Sequence, residues 1–379
     1  MRRLRLIGAA IAASTITLPL AIPAASLGAT PPIGQHTARK VTVTVDASAV
    51  KAVLTALLDP ALTMAEAKRI AALPGNQGLI RKARSYGRPG TDELFANALV
   101  AAAHHDDAAP DPGTFRFDRV RDHVAQIRTT LAQLEDPASD LLTGVKARIA
   151  QFTPASVSGQ VTGHLVLGGT SGGFAFGGPE FFLNLDRFPS AALATIIMQH
   201  ELFHAVQGIA RSSKKLPTTT EACTTRISHG VALSQLFASL EMEGSASLVG
   251  DVASMKAGID AASDAARTKA LRNVELVDRS ITLLELSVHG LNSGAQVSYD
   301  DIYALGFYGD EVLYGLGYVM ARAIVTEEGA GAIADLTGKP GALFVQRYRN
   351  LKSYGKSEAA PLLKAETLRS AEQLAACAA

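Results

Sequence analysis

Two histidines and a glutamate, His200, Glu201 and His204, interrupt an otherwise apolar run, TIIMQHELFHAVQG at 195–208. The run holds no proline and no interior glycine, so it reads as a helix. Four residues of helix are a little over one turn, which brings both imidazoles out on one side, about 40° apart. So placed, they can grip one ion, and imidazole suits zinc. Glu201, rotated about 100° from His200, is badly placed as a third ligand but can reach a water on that ion. Water bound to Zn2+ ionises near neutral pH, and a neighbouring carboxylate takes the proton as the hydroxide attacks a carbonyl. The expected roles are therefore His200 and His204 as zinc ligands and Glu201 as general base. Leu193, Ile196, Ile197, Met198, Leu202, Phe203, Val206 and Ile209 surround the helix, which should lie inside the protein. Buried polar groups need partners; one metal satisfies all three, and the alternative is a pair of hydrogen-bonded core histidines.

A catalytic zinc usually keeps three protein ligands and a water. The extended pattern H-E-x-x-H-x-x-G-x-x-H fails, because Gln207 and Ala210 stand where its glycine and third histidine belong. A carboxylate from a second helix is the remaining common solution. In SLEMEGSASLVGD, Glu243 shares a helical face with Leu236, Leu240, Ser247 and Gly250, while Glu241 points nearly opposite. The small residues Gly244 to Ser247 would let that helix approach the H-E-x-x-H helix closely enough to reach a metal, so Glu243 is the expected third ligand, with Glu241 and Asp251 as rivals. An oxyanion also needs a donor. Tyr314 is the first choice, in a helix that Asp310 can cap and whose Gly315 and Gly317 permit close packing; Tyr308, Tyr318 and His229 are rivals. The segment LVLGGTSGGFAF can offer a sheet edge to an extended peptide, or be an ordinary hairpin.

These motifs resemble the gluzincin metallopeptidases, in which a second helix carrying a glutamate ligand follows the H-E-x-x-H helix. The likeness extends to secreted bacterial proteins described as zinc-dependent peptidases and grouped as a domain of unknown function. The matching parts are the glycine-rich Gly168 to Gly178, then His200 to His204, an E-G-x-A element at Glu243 to Ala246, and Y-x-x-G at Tyr314 to Gly317. The likeness covers roughly Val41 to Asn350. It implies a gluzincin-like core, a zinc cofactor on His200, His204 and Glu243, and hydrolysis of peptide bonds. In one respect the chain departs from gluzincins: the aspartate of their E-x-x-x-D motif, which orients a zinc histidine, is here Ser247. Asp186, Asp251 or a backbone carbonyl must then orient the imidazoles.

The elements around these residues indicate an α+β, predominantly helical fold, with a small sheet preceding the H-E-x-x-H helix. The 379 residues are 47% hydrophobic, enough for a large core, and the net charge of +1 offers no field for nucleic acid or an anionic membrane. Residues 1–29 have the layout of a secretory signal, a basic start followed by an apolar stretch and small residues, and 30–40 read as a linker. A helical N-terminal region is expected at 41–152 and a zincin-like catalytic region with a helical C-terminal part at 153–379. Alternation in VTVTVDAS predicts a strand at 41–48; apolar periodicity predicts helices at 49–58, 64–73, 92–103, 117–134 and 138–152. Two or three strands joined by hairpin turns are expected across 157–188, with no phosphate-binding glycine motif. Helices should follow from Pro189, across 231–250, and after Asp310. Cys223 and Cys377 are either a disulfide or two free thiols.

The expectation is an exported zinc metallopeptidase, periplasmic or extracellular, acting on a peptide or protein. It would have no nucleic-acid partner and no stable membrane insertion once the signal is removed; its oligomeric state is left open. Two rivals stand beside it: a zinc hydrolase cutting a non-peptide amide such as a cell-wall fragment, and an exported binding protein that keeps zinc for stability alone.

Overall fold

Valine and threonine alternate in KVTVTVD and build strand β1 (Lys40–Asp46), where branched side chains suit a pleated surface. A computed structural model of the chain describes residues 40–106, 113–213 and 218–378; the expected signal and all but the last residue of the expected linker lie outside these. β1 joins β2 (Ser158–Val166), β3 (Gly173–Ala175) and β4 (Glu180–Asn184) in one sheet of order β1-β2-β4-β3. β1, β2 and β4 are parallel, and β3 pairs antiparallel with β4. The three strands expected across 157–188 form, but the expectation of successive hairpins is corrected. The chain leaving β2 passes β4 to reach β3, and only β3 to β4 is a hairpin, because parallel neighbours need a crossover rather than a tight turn.

The crossover from β1 to β2 holds α1 (Ser48–Ala56), α2 (Met64–Ala71), α3 (Pro74–Ser85), α4 (Asp92–Ala103), α5 (Phe117–Asp122), α6 (Val124–Glu135) and α7 (Leu141–Phe152). Thr63 and Glu66 form a capping box on α2, and Thr91 caps α4. The single helix expected at 117–134 is broken at His123, whose backbone leaves the helical region. The break lets Arg119 and His123 both face Asp186, from which the His123 Nδ1 lies 3.6 Å away. α3 escaped the periodicity, since Gly75 and Gly78 argue against a helix. Packing requires them: a Cβ at Gly75 would lie 2.8 Å from that of Ala49, and one at Gly78 would enter the Phe182 ring.

The second half supplies α8 (Ala191–Ser213), α9 (Thr218–Arg226), α10 (Gly230–Val249), α11 (Ala261–Glu275), α12 (Val277–Asn292), α13 (Tyr299–Gly306), α14 (Val312–Glu328), α15 (Ala330–Leu336), α16 (Ala342–Arg349) and α17 (Ala365–Ala376). One apolar core runs through both halves, from Val43 to Leu374. Strand alternation assigns the sheet faces: Phe182 and Phe174 meet α3, whereas Gly173 and its neighbour Leu183 face α8. α10 and α14 cross at Gly244 and Gly317 with their backbones in contact, a Cβ at Gly317 falling 2.7 Å from the Gly244 Cα. Gly250 brings the end of α10 equally close to α8, beside the His200 Cβ. α14 starts without the expected Asp310 cap. Glu311 takes the left-handed conformation there, while the Asp310 carbonyl accepts from Asn273 (2.8 Å) and its carboxylate faces Arg279 (3.7 Å). Cys223 in α9 and Cys377 at the end of α17 are joined as a disulfide, with Cα atoms 5.5 Å apart. Among the described residues no helix is long and apolar enough to cross a membrane.

Candidate metal centre

His200 and His204 leave one side of α8 and meet Glu243 of α10. The two Nε2 atoms are 3.0 Å apart, and Glu243 Oε2 lies 3.1 Å from that of His204 and 3.6 Å from that of His200. Among the described residues these three form the group of histidine and acidic side chains whose ligand atoms converge. Tetrahedral zinc with bonds of about 2 Å holds its donors roughly 3.3 Å apart, close to the separations seen here. Two imidazole nitrogens and a carboxylate oxygen turned inward on one point, all largely buried, form a donor set made for a cation, and zinc fits it.

The electrostatics agree. Burial acts to strip the proton from His204, but the Glu243 charge and hydrogen bond outweigh it and, with Glu201, raise that imidazole to about 9 in the chain without metal. Burial pushes Glu243 up in turn, yet the His204 charge and the hydrogen bonds from both histidines hold it well below the usual carboxylate range. A dication can take the place of that shared proton.

Glu201 is 7% exposed and stands outside the ligand group. Its carboxyl is raised by burial, with the Glu243 charge adding and the two histidines opposing. Strand β3 runs directly over it: a Cβ at Gly173 would lie 2.6 Å from Glu201 Oε1. Tyr314, in the first turn of α14, stacks on the His200 ring at 6.3 Å and turns its hydroxyl to Glu243. Burial, and then the Glu243 charge, hold this phenol well above its ordinary value, so it remains a proton donor.

The rival residues lie elsewhere. Glu241 is buried on the opposite side of α10 against Arg211 (3.4 Å), and burial raises it to about 7 despite that cation. Tyr318 donates to Asp251 (3.0 Å), which also caps the turn at 252–254; Tyr308 is half exposed; His229 is exposed at the start of α10. Neither aspartate expected to orient the imidazoles does so, since Asp186 is taken by Arg119 and Asp251 by Tyr318 and Ser254. That part falls to Gln207, which the sequence reading used only to exclude a class. Its Oε1 accepts from His204 Nδ1 at 2.8 Å, while its own amide donates to the Met242 carbonyl (3.1 Å) and the Ser245 hydroxyl (2.9 Å). His204 Nε2 is thereby turned to Glu243, to which it donates in the chain without metal and beside which it would offer its lone pair to a bound ion. The available signal was a glutamine one turn past a histidine on a helix meant to be buried. Gln207→Leu, of similar size, should weaken zinc binding roughly ten- to a hundredfold, as measured by competition with a chromogenic chelator; unchanged affinity would deny it the orienting role.

An aromatic wall flanks the centre. From Tyr314 the rings continue to Phe307 (5.7 Å), Tyr303 (5.1 Å from Phe307) and Tyr308 (5.4 Å from Tyr303). The Tyr308 phenol meets that of Tyr86 at the end of α3.

Among known families, the model described as "Putative zinc dependent peptidase (DUF5700)" matches residues 67–356. No curated protein and no solved structure matches the chain.

Proposed function

The chain belongs to this family, and on that premise we propose that it is an exported metallopeptidase, with His200, His204 and Glu243 as the ligands of its zinc. The observation that carries the reading is a buried His-His-Glu group with a second carboxylate, Glu201, beside it but outside it and under the edge of a sheet. When bound, zinc would polarise the scissile carbonyl and lower the pKa of a water. Glu201 accepts the proton from the attacking water and passes it to the leaving amine. Its burial raises its affinity for that proton above that of an exposed carboxylate. Tyr314 donates its hydroxyl hydrogen bond to the oxyanion. The free edge of β3 aligns an extended peptide by main-chain hydrogen bonds, with the bond to be cut held near Glu201. A disulfide-bonded pair of cysteines accords with an oxidising compartment, and so with export.

Metal analysis of the purified chain paired with a peptide-library digest tests this. About one zinc per chain is expected, with peptide cleavage that a chelator abolishes and added zinc restores. Zinc retained with no peptide cleaved, and a large fall in melting temperature on chelation, would instead favour a binding protein stabilised by metal.

A further inference from the structure

Lys82 of α3 has no carboxylate partner among the described residues. Its ammonium lies over two rings, 4.7 Å from the centre of Tyr86 and 5.4 Å from that of Phe174. It borders a shallow pocket, with room inside for about one water, that Tyr86, Arg88, Thr114, Thr170 and Ser171 also line; among the described residues that lining holds two basic side chains and no acidic one. Among the described residues Arg88 donates to the Gly113 carbonyl (3.1 Å).

The wall of this pocket is held in place. The buried Asn184 amide donates to the carbonyls of Gly168 (2.5 Å) and Ser171 (3.0 Å), Arg119 donates to that of Gly169 (3.1 Å), and the Tyr86 and Ser171 hydroxyls are 3.1 Å apart. Ser171 is two residues before Gly173, the residue lying over Glu201. A strand added to β3 would send alternate residues to the α8 face, where Glu201 stands, and to the α3 face, where Lys82 stands. A group one residue from the bond being cut therefore arrives beside Lys82.

We infer that Lys82, at the mouth of this pocket, pairs with a carboxylate of the substrate: the free C-terminus of a peptide, or an aspartate or glutamate side chain adjoining the cleaved bond. The inference deepens the peptidase reading and rests on it. Lys82 supplies the charge, and Arg88, Tyr86 and Ser171 supply further donors. An ammonium seated on two rings and only partly exposed is less hydrated than one in open solvent, so it loses less on pairing.

The test is calorimetric binding to the Glu201→Gln chain loaded with zinc, where bound peptide is not turned over. Two peptide pairs are compared, one differing only in a C-terminal acid or amide, the other, amidated throughout, in one internal glutamate or glutamine. One of the two exchanges should weaken binding roughly tenfold, and which one does so identifies the source of the carboxylate. Adding Lys82→Met should erase that preference, while Lys82→Arg should keep it. Equal affinities within both pairs, or a preference that survives Lys82→Met, would overturn the assignment. The peptidase reading fails separately, if the parent chain cleaves none of these peptides even while the acid preference in binding stands.

Discussion

Glu201→Gln should retain its zinc and lose peptide hydrolysis, with kcat down roughly 10²- to 10⁴-fold. The side chain lies outside the ligand group, so the exchange leaves all three donor atoms in place. Glutamine matches glutamate in size and hydrogen bonding but has no basic oxygen to take the proton from water. Unfolding would not account for the loss, because a neutral amide is buried at less cost than a carboxylate in this 7% exposed position. His204→Ala provides the contrast: it removes one ligand, and leaves Glu243 buried with a weaker partner, 3.6 Å from His200. Metal and activity should both disappear. Metal content and digestion of one peptide, measured on both variants and the parent, decide the matter; equal turnover in Glu201→Gln and the parent removes the mechanism.

Breaking the disulfide should be the largest change in stability. Cys223 and Cys377 are 154 residues apart in sequence, and closing so long a loop in the unfolded chain is worth up to about 5 kcal/mol by the chain-entropy argument. α9 is a short and mostly polar helix, none of whose described side chains is fully buried, so the link is a main anchor for it. The double variant Cys223→Ser, Cys377→Ser should therefore lose about 2 to 5 kcal/mol, read as a lower denaturation midpoint in urea. The proposed metal ligands lie on α8 and α10, away from both cysteines in sequence, so zinc content under native conditions should be kept. Coincident unfolding curves for the parent with and without reductant would show that the link adds nothing.

Periodicity and spacing go far where a feature is local. The H-E-x-x-H helix, the helices α2 and α4 with their capping threonines, and the alternation in β1 each depend on residues within a turn or two of one another. Glu243 was legible from the helical face it shares with Leu236 and Leu240, but the small residues beside it, expected to bring α10 against α8, only partly do so: Gly244 meets Gly317 of α14 backbone to backbone, while Ser245 bonds Gln207 of α8. α3 was not legible, because its glycines lower helix propensity and are accounted for only by distant neighbours, Gly75 by Ala49 and Gly78 by Phe182, the latter more than a hundred positions away. The parallel pairing of β2 with β4 was hidden for a similar reason: strand alternation records which face is buried but not which neighbour lies alongside.

By itself, then, the order of residues determined the chemistry this chain carries: two imidazoles one turn apart, a carboxylate between them in sequence, and a glutamate on a second helix of small residues. Those are properties of helix pitch and residue type, and they hold wherever the helices go. Only the tertiary structure decided that Gln207 rather than an aspartate orients His204, that Gly173 seats a strand over Glu201, that Cys223 joins Cys377, and that Lys82 stands by that same strand edge with no carboxylate partner among the described residues. The last three are meetings of groups far apart along the chain, and Gln207, though one turn from His204, is fixed there by Met242 and Ser245 of α10; how whole elements pack sets all four.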